Sequence, residues 1–431
     1  MEVQEIGVIG TGDMGKLHAT EFAKLGYRVN VCDLPEKRGE LEANLGDVKG
    51  IKILDDGVAV SRRSDLTFYL VEMENTGEAL AKYGHSTKKG YVVSLGTSVM
   101  TPFVEAAEKY LPKDAHVINW HWLFGHSVIP QGKSSALVNY RSSPEAFQAS
   151  MGAFGKVGIK IEEILHQDGL LAYQVHDKIM ADTQAVTHMG FESMGTAWKN
   201  AGFYPWENPQ YAGGIDNIKA LMTLRVLGGK SHVYGGLAIL NPFAQEQISQ
   251  YARSVSELYA MMVQGDKDGF RKRIAEAAEF VFGNGGKTGL LLDDRIMGEY
   301  SLGAIPEEDR KDNTHLSQLA APDAWRNLRI IPYKNFICKT PPFMLRVGIV
   351  EYLFRNPELL EKSIDTALNN KEMIEGDLPF VNAVKEWASI IGRGDMASYK
   401  REFENTKSFF PPEKLKAAKK KSDELIERLA A

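Results

Sequence analysis

Cysteine is almost missing from this chain: 431 residues hold only Cys32 and Cys338, far apart and each in apolar surroundings. That excludes a disulfide scaffold and fits a reducing compartment. No apolar run approaches the roughly 20 residues needed to span a bilayer. No leader is expected either, because the first strand begins about five residues from Met1; the expected location is the cytoplasm. Neither sign of charge dominates, since 51 Lys and Arg face 56 Asp and Glu for a net charge of −5. Nucleic acid and membrane surfaces are therefore not expected partners. Histidine and cysteine never fall at zinc-ligand spacing, so no metal is expected. What remains is ordinary globular material, 44% hydrophobic and 25% charged, over a length that suggests two or three domains.

The most informative segment opens the chain. An apolar strand, Ile6 to Ile9, runs into Gly10-Thr11-Gly12-Asp13-Met14-Gly15, and a helix follows with Leu17, Ala19, Phe22, Ala23 and Leu25 on its apolar face. A second strand, Arg28 to Cys32, ends on Asp33, eighteen positions past Gly15. Gly10 suits a tight turn, Gly12 lets backbone N–H groups approach a pyrophosphate, and Gly15 lets helix pack on strand. The helix N-terminus then offers partial positive charge to phosphate. Gly10, Thr11, Gly12, Asp13, Met14, Gly15 and Asp33 are the expected dinucleotide contacts.

Short apolar runs continue at 66–71, 91–95, 117–120, 135–139 and 159–161, alternating with helical segments. The expected fold of residues 1–165 is a Rossmann-type, doubly wound α/β sheet, with ligand beyond the carboxyl ends of its strands. From 166 the texture turns all-helical: Leu171, Val175, Ile179, Thr183 and Val186 recur at helical spacing. A degenerate repeat runs through this part. Thr187-His188, Ala197-Trp198, Asn200 and Pro205 recur 127 positions later as Thr314-His315, Ala324-Trp325, Asn327 and Pro332. Arg225, Asn241-Pro242 and Gly265-Asp266 are echoed by Arg346, Asn356-Pro357 and Gly394-Asp395. Residues 166–300 thus read as a helical substrate and dimerisation-type domain, and 301–431 as its drifted copy, with Asp293 to Asn313 as a polar joint. The two copies would pack as the subunits of a dimer do. The tail from Pro411 reads as a solvated amphipathic helix.

Candidate chemistry follows from residue type and place. His121, at the end of the 117–120 run, suits a proton or hydrogen-bond acceptor near neutral pH, or is a core histidine between Trp120 and Trp122. Ser98 either binds a substrate hydroxyl or caps the helix that starts near Pro102. His176, Gln184 and His188 form a polar stripe on a helix, the pattern of a pocket lining. Arg225, in the apolar setting Leu224-Arg225-Val226, either pairs internally with a carboxylate or clamps a substrate carboxylate.

Taken together these residues resemble the prephenate dehydrogenases, most closely the fungal NADP-dependent kind. The resemblance rests on 9–15, on His121 with Gly125, and on the run His176-Asp177 to Thr187-His188. It extends to Tyr204-Pro205-Trp206, His232-Val233-Tyr234, Phe280 to Gly283 and Thr288-Gly289-Leu290-Leu291. It implies oxidative decarboxylation of prephenate to 4-hydroxyphenylpyruvate, with hydride passing to NADP, in tyrosine biosynthesis. By that resemblance His121 and Ser98 are catalytic, with neutral His121 accepting a hydrogen bond from the ring hydroxyl, while Arg225, Gln184 and His188 bind substrate. Two departures bear on the pocket: Trp122 stands where many bacterial relatives have proline, and the spacing from Gly213-Gly214 to Arg225 is longer than theirs. Asp33 by charge favours NAD over NADP, yet the fungal relatives carry it too, and Lys37 or Arg38 could supply compensating charge; NADP is expected, with NAD the alternative. The copy after 301 keeps His315 and Arg346 but has Gly303 and Lys311 where His176 and Gln184 would recur. It is therefore expected to be a silent partner, making the chain a monomeric pseudo-dimer, with a homodimer the alternative. The rival readings are an arogenate dehydrogenase and a dinucleotide sensor without turnover.

Overall fold

A computed structural model describes residues 2–126, 128–283 and 291–430; Thr288-Gly289-Leu290 of the last family motif lies outside them. The chain divides into two compact units, Met1–Met180 with Ile337–Lys339, and Ala181–Phe336 with Thr340–Ala431. The parting thus falls at Met180 and not near 165, and residues on both sides of 300 share one unit.

The first unit is one eight-stranded sheet of β1 (Glu5–Ile9), β2 (Arg28–Cys32), β3 (Ile51–Ile53), β4 (Leu66–Tyr69), β5 (Val92–Leu95), β6 (His116–Trp122), β7 (Ser134–Arg141) and β8 (Lys160–Glu163). Its order is β3-β2-β1-β4-β5-β6-β7-β8, parallel throughout except between β6 and β7. The helices are α1 (Asp13–Lys24), α2 (Arg38–Leu45), α3 (Gly57–Arg63), α4 (Thr76–Tyr83), α5 (Thr101–Tyr110), α6 (Pro144–Gly155) and α7 (Ala172–Met180). The β1–β4 neighbourhood is the point where strand order reverses, so the Gly-rich turn after β1 faces the crevice such sheets use for ligands. β6 runs two residues beyond its apolar core segment. Alternation along it sends Trp120 and Trp122 to one face, where Trp120 stacks on Phe154 at 4.1 Å and Trp122 on His18 at 3.8 Å. His121 is left on the other face. The alternative of a core histidine wedged between two tryptophans therefore does not describe this strand.

The second unit is helical: α8 (Thr187–Ala201), α9 (Gly214–Leu227), α10 (Ser231–Ile239), α11 (Ala244–Gln264), α12 (Lys267–Phe282) and α13 (Asp294–Glu299). After them come α14 (Leu316–Leu328), α15 (Pro341–Arg355), α16 (Pro357–Asn369), α17 (Lys371–Gly376), α18 (Leu378–Gly392), α19 (Met396–Phe409) and α20 (Pro412–Ala430). Ahead of α8, Ala181–Val186 forms a π-helical turn. Its extra residue shifts the phase of everything beyond it, so the 3.6-residue spacing read through this stretch does not hold.

The repeated sequence pattern coincides with repeated structure. Gly265 and Gly394 are both left-handed, with φ of 69° and 67°, a conformation glycine adopts without a Cβ clash. The aspartate after each caps the next helix: Asp266 accepts from the Gly269 N–H, and Asp395 from that of Ser398. Packing is reciprocal. α8 lies on α18 and α19, α14 lies on α11 and α12, and α11 and α18 lie on each other. Lys199 pairs with Glu402 across the first of these contacts and Arg326 with Glu276 across the second. The tail is not solvated: α20 packs on α9, and its Ala418, Ser422 and Leu425 are fully buried. Among the described residues no helix is long and apolar enough to cross a membrane.

Candidate active site

At the Gly-rich turn, Gly10 has φ 91°, and a Cβ there would press on the Leu70 carbonyl; one on Gly15 would collide with the Gly10 carbonyl. A Cβ on Gly12 would meet nothing within 4 Å. Gly12 is also the N-cap of α1 and supplies no side-chain acceptor. The N–H groups of the first turn, from Asp13, Met14 and Gly15, thus open onto free space beside a helix N-terminus, which suits a phosphate. Asp33 is committed elsewhere than expected. Its Oδ2 accepts from both the N–H and the hydroxyl of buried Thr11, each at 2.7 Å, and its Oδ1 accepts from the Leu34 N–H at 2.8 Å. It braces the turn from behind. Arg38 is tied to Glu42 and Asp55, whereas Lys37 makes no ion pair among the described residues.

A chain of hydrogen bonds crosses the other face of the sheet. Ser98 Oγ lies 2.9 Å from His121 Nε2, His121 Nδ1 lies 3.1 Å from His176 Nε2, and His176 Nδ1 lies 2.9 Å from Asp177 Oδ1. Asp177 also accepts from the Met100 and Thr101 N–H groups at 2.7 and 2.8 Å and from the Thr101 hydroxyl at 2.7 Å. The carboxylate therefore caps the N-terminus of α5, where the helix dipole favours negative charge. Ser98 does not cap that helix; its hydroxyl is on His121.

The direction of each bond follows from the acceptor at the end. Asp177 accepts, so His176 Nδ1 donates; a neutral His176 then accepts at Nε2, and His121 Nδ1 donates to it. The lone pair of His121 is left on Nε2, facing Ser98. Burial, reinforced by the neighbouring His176, holds His121 well below the usual histidine range, so the ring is neutral at neutral pH. The arrangement offers a fixed, uncharged acceptor with one possible tautomer.

The helical unit holds the remaining candidates. Gln184 is buried in the π turn. His188 is 8% exposed, its Nδ1 has no hydrogen-bond partner, and the ring of Tyr234 meets it edge-on at 4.5 Å between centroids. Burial first, then the charge of Arg225, depresses His188 to about 3. Arg225 is half-buried and pairs with Asp423 Oδ1 at 2.6 Å. The internal partner is thus present, supplied by α20. The structure joins Ser98 to His121 in one unit and His188 to Arg225 in the other.

Sequence reasoning passed over the role of His176 and Asp177 toward His121, treating the histidine as one of a pocket-lining stripe. The available signal was an adjacent His-Asp pair inside an apolar helix, where neither can stay buried without a polar partner. Among the described residues no group of His, Cys, Asp or Glu is placed to hold a metal ion.

Comparison with known proteins gives consistent matches. A family model for a 6-phosphogluconate dehydrogenase C-terminal domain matches residues 185–431, and that described as "NADP oxidoreductase coenzyme F420-dependent" matches residues 5–97. The chain is 42% identical over 418 residues to the "Probable prephenate dehydrogenase [NADP(+)]" of Schizosaccharomyces pombe, covering 95% of this chain and 94% of that one. It is 42% identical over 417 residues to the "Prephenate dehydrogenase [NADP(+)]" of Saccharomyces cerevisiae, covering 94% and 90%. To the "Probable arogenate/prephenate dehydrogenase" of Methanocaldococcus jannaschii it is 22% identical over 291 residues, covering 67% and 63%.

Proposed function

The chain belongs to the prephenate dehydrogenase family, and we propose that it converts prephenate and NADP+ to 4-hydroxyphenylpyruvate, carbon dioxide and NADPH, a step of tyrosine biosynthesis. The observation that carries this reading is the Ser98–His121–His176–Asp177 chain, which leaves one neutral imidazole nitrogen as an acceptor. When bound, NADP+ takes the hydride released from the carbinol carbon of the ring. That carbon becomes electron-poor as hydride leaves. His121 Nε2, accepting the hydrogen of the ring hydroxyl, pushes electron density toward it, and Ser98 orients the same hydroxyl. The carboxylate leaves as carbon dioxide, its bonding pair enters the ring, and aromatisation drives the step. The phenol keeps its proton, so no net proton is released, and a neutral base suffices. A charged imidazolium would oppose hydride departure, which gives its burial a chemical purpose.

The first turn of α1 would hold the pyrophosphate. Asp33, spent on Thr11, braces that turn instead of reaching for a ribose hydroxyl, and Lys37 is the residue assigned to the 2′-phosphate. Arg225, with His188 and Gln184, is assigned to a prephenate carboxylate. One chain carries one site, and the reciprocal helical packing makes it its own dimer, so the working form is a monomer; an obligate dimer at nanomolar concentration in sedimentation would oppose this. Arogenate, which differs only by an amino group on the side chain, is the second substrate reading, favoured by the name of the archaeal relative.

The test is reduction of NADP+ by the purified protein given prephenate or arogenate, with His121→Ala alongside. Turnover of the variant is expected to fall about 10²–10⁴-fold while nucleotide affinity, followed by fluorescence, stays the same. Unchanged turnover would remove His121 from the mechanism.

A further inference from the structure

Arg225 is held from one side only. Its Nη1 donates to Ser422 Oγ at 2.5 Å and to Asp423 Oδ1 at 2.6 Å, with the Lys419 carbonyl at 3.4 Å. The Ser422 hydroxyl donates in turn to the Lys419 carbonyl at 2.7 Å, so its oxygen is free to accept from the arginine. Ser422 is fully buried and therefore stationary. Nη1 has two hydrogens, and these contacts consume them. Nη2 and Nε make no hydrogen bond among the described residues. Close by is His188, buried, with an unpartnered Nδ1 and with Tyr234 against its ring. The guanidinium is thus anchored by one terminal nitrogen and presents the other edge.

We propose that Ser422 and Asp423 of the last helix are positioning residues for substrate binding: they fix the Arg225 fork so that its Nε–Nη2 edge receives a prephenate carboxylate. The inference rests on the reading of Arg225 as the carboxylate clamp. An arginine side chain has about 2 kcal/mol of rotamer entropy to lose on binding, and a fork held in advance has lost most of it before substrate arrives. The last helix, far from the nucleotide fold in sequence, becomes a determinant of substrate affinity.

The experiment measures KM and kcat for prephenate, KM for NADP+ and the thermal midpoint of Asp423→Asn, Ser422→Ala and Asp423→Glu. Losing the charged acceptor is expected to raise KM for prephenate about tenfold, with kcat and the KM for NADP+ within about twofold. Ser422→Ala, which keeps the charge, is expected to raise KM about threefold, and Asp423→Glu to recover most of the loss. A general structural defect would instead move all three constants and the midpoint together, and that pattern would overturn the proposal. So would an unchanged KM, or a KM that falls, since Asp423 would then be competing with substrate for the arginine. Arg225→Ala separates the two levels. If it leaves KM for prephenate unchanged, the clamp reading fails and takes this inference with it. If it raises KM while Asp423→Asn does not, only the role of the last helix is lost.

Discussion

Arg225 on α9 and Arg346 on α15 stand at corresponding places in the repeated helical pattern, yet their guanidinium groups live differently. Arg346 is fully enclosed. It donates to the Thr187 hydroxyl at 3.1 Å, faces Asp182 at 3.8 Å, and lies over the rings of Trp325 and Tyr251 at 4.9 and 5.6 Å. Arg225 is partly open and keeps an unspent edge. The histidines divide the same way. His315 receives a hydrogen bond from buried Lys219 at 2.9 Å and sits in a left-handed backbone, φ 51°, whereas His188 keeps a free Nδ1. One copy has turned its polar residues into internal pins; the other has left them with unmet hydrogen bonds. Buried polar atoms without partners are costly and so mark places where a ligand completes the set.

Exchanging the substitutions tests this contrast most strongly. Arg225→Ala is expected to lower kcat/KM for prephenate about 100-fold, the effect of losing a charge-assisted pair, with little change in thermal midpoint. Arg346→Ala is expected to do the reverse. It leaves Asp182 buried without its cation and should cost about 3 kcal/mol of stability, visible in urea unfolding, while the folded fraction keeps kcat/KM within about threefold. Similar activity losses in both would erase the distinction between the copies.

A smaller effect separates the copies by pH. Glu192 is buried in α8, where the later copy has Leu319. Burial pushes its carboxyl up to about 8, against the opposing bond from Tyr399. A folded value above the unfolded one means that the native state keeps a proton the unfolded chain has lost. This contribution to stability is intact below about pH 4.5 and declines by about 1.4 kcal/mol per unit until about pH 8. Calorimetry at pH 5 and 8.5 should show Glu192→Gln matching the parent in acid and exceeding it in alkali; equal midpoints at both would refute the assignment. The smallest effect belongs to neither copy. Lys37→Ala should weaken kcat/KM with NADP+ about fivefold, the worth of one exposed phosphate contact, and leave the NAD+ reaction unchanged; an equal loss with both cofactors would free Lys37 of the 2′-phosphate.

Local signals carried far in this chain. The Gly-x-Gly-x-x-Gly turn, the alternation of short apolar runs with helices and the change of texture beyond 166 are patterns of neighbouring residues, and the structure contains them. β3 escaped because Ile51-Lys52-Ile53 is too short to announce itself. The π turn escaped because it breaks the very period by which helices are recognised.

What the sequence determined by itself is the type of each element and the inventory of chemical groups, since backbone sterics and side-chain period act over a few residues. Only the tertiary structure decided which group each one serves. Thr11 takes the carboxylate of Asp33, His176 steers an imidazole 55 positions earlier, and Arg225 is met by Asp423, 198 positions later. Hydrogen-bond partners are chosen by how helices and strands pack, and no periodicity along the chain encodes that choice.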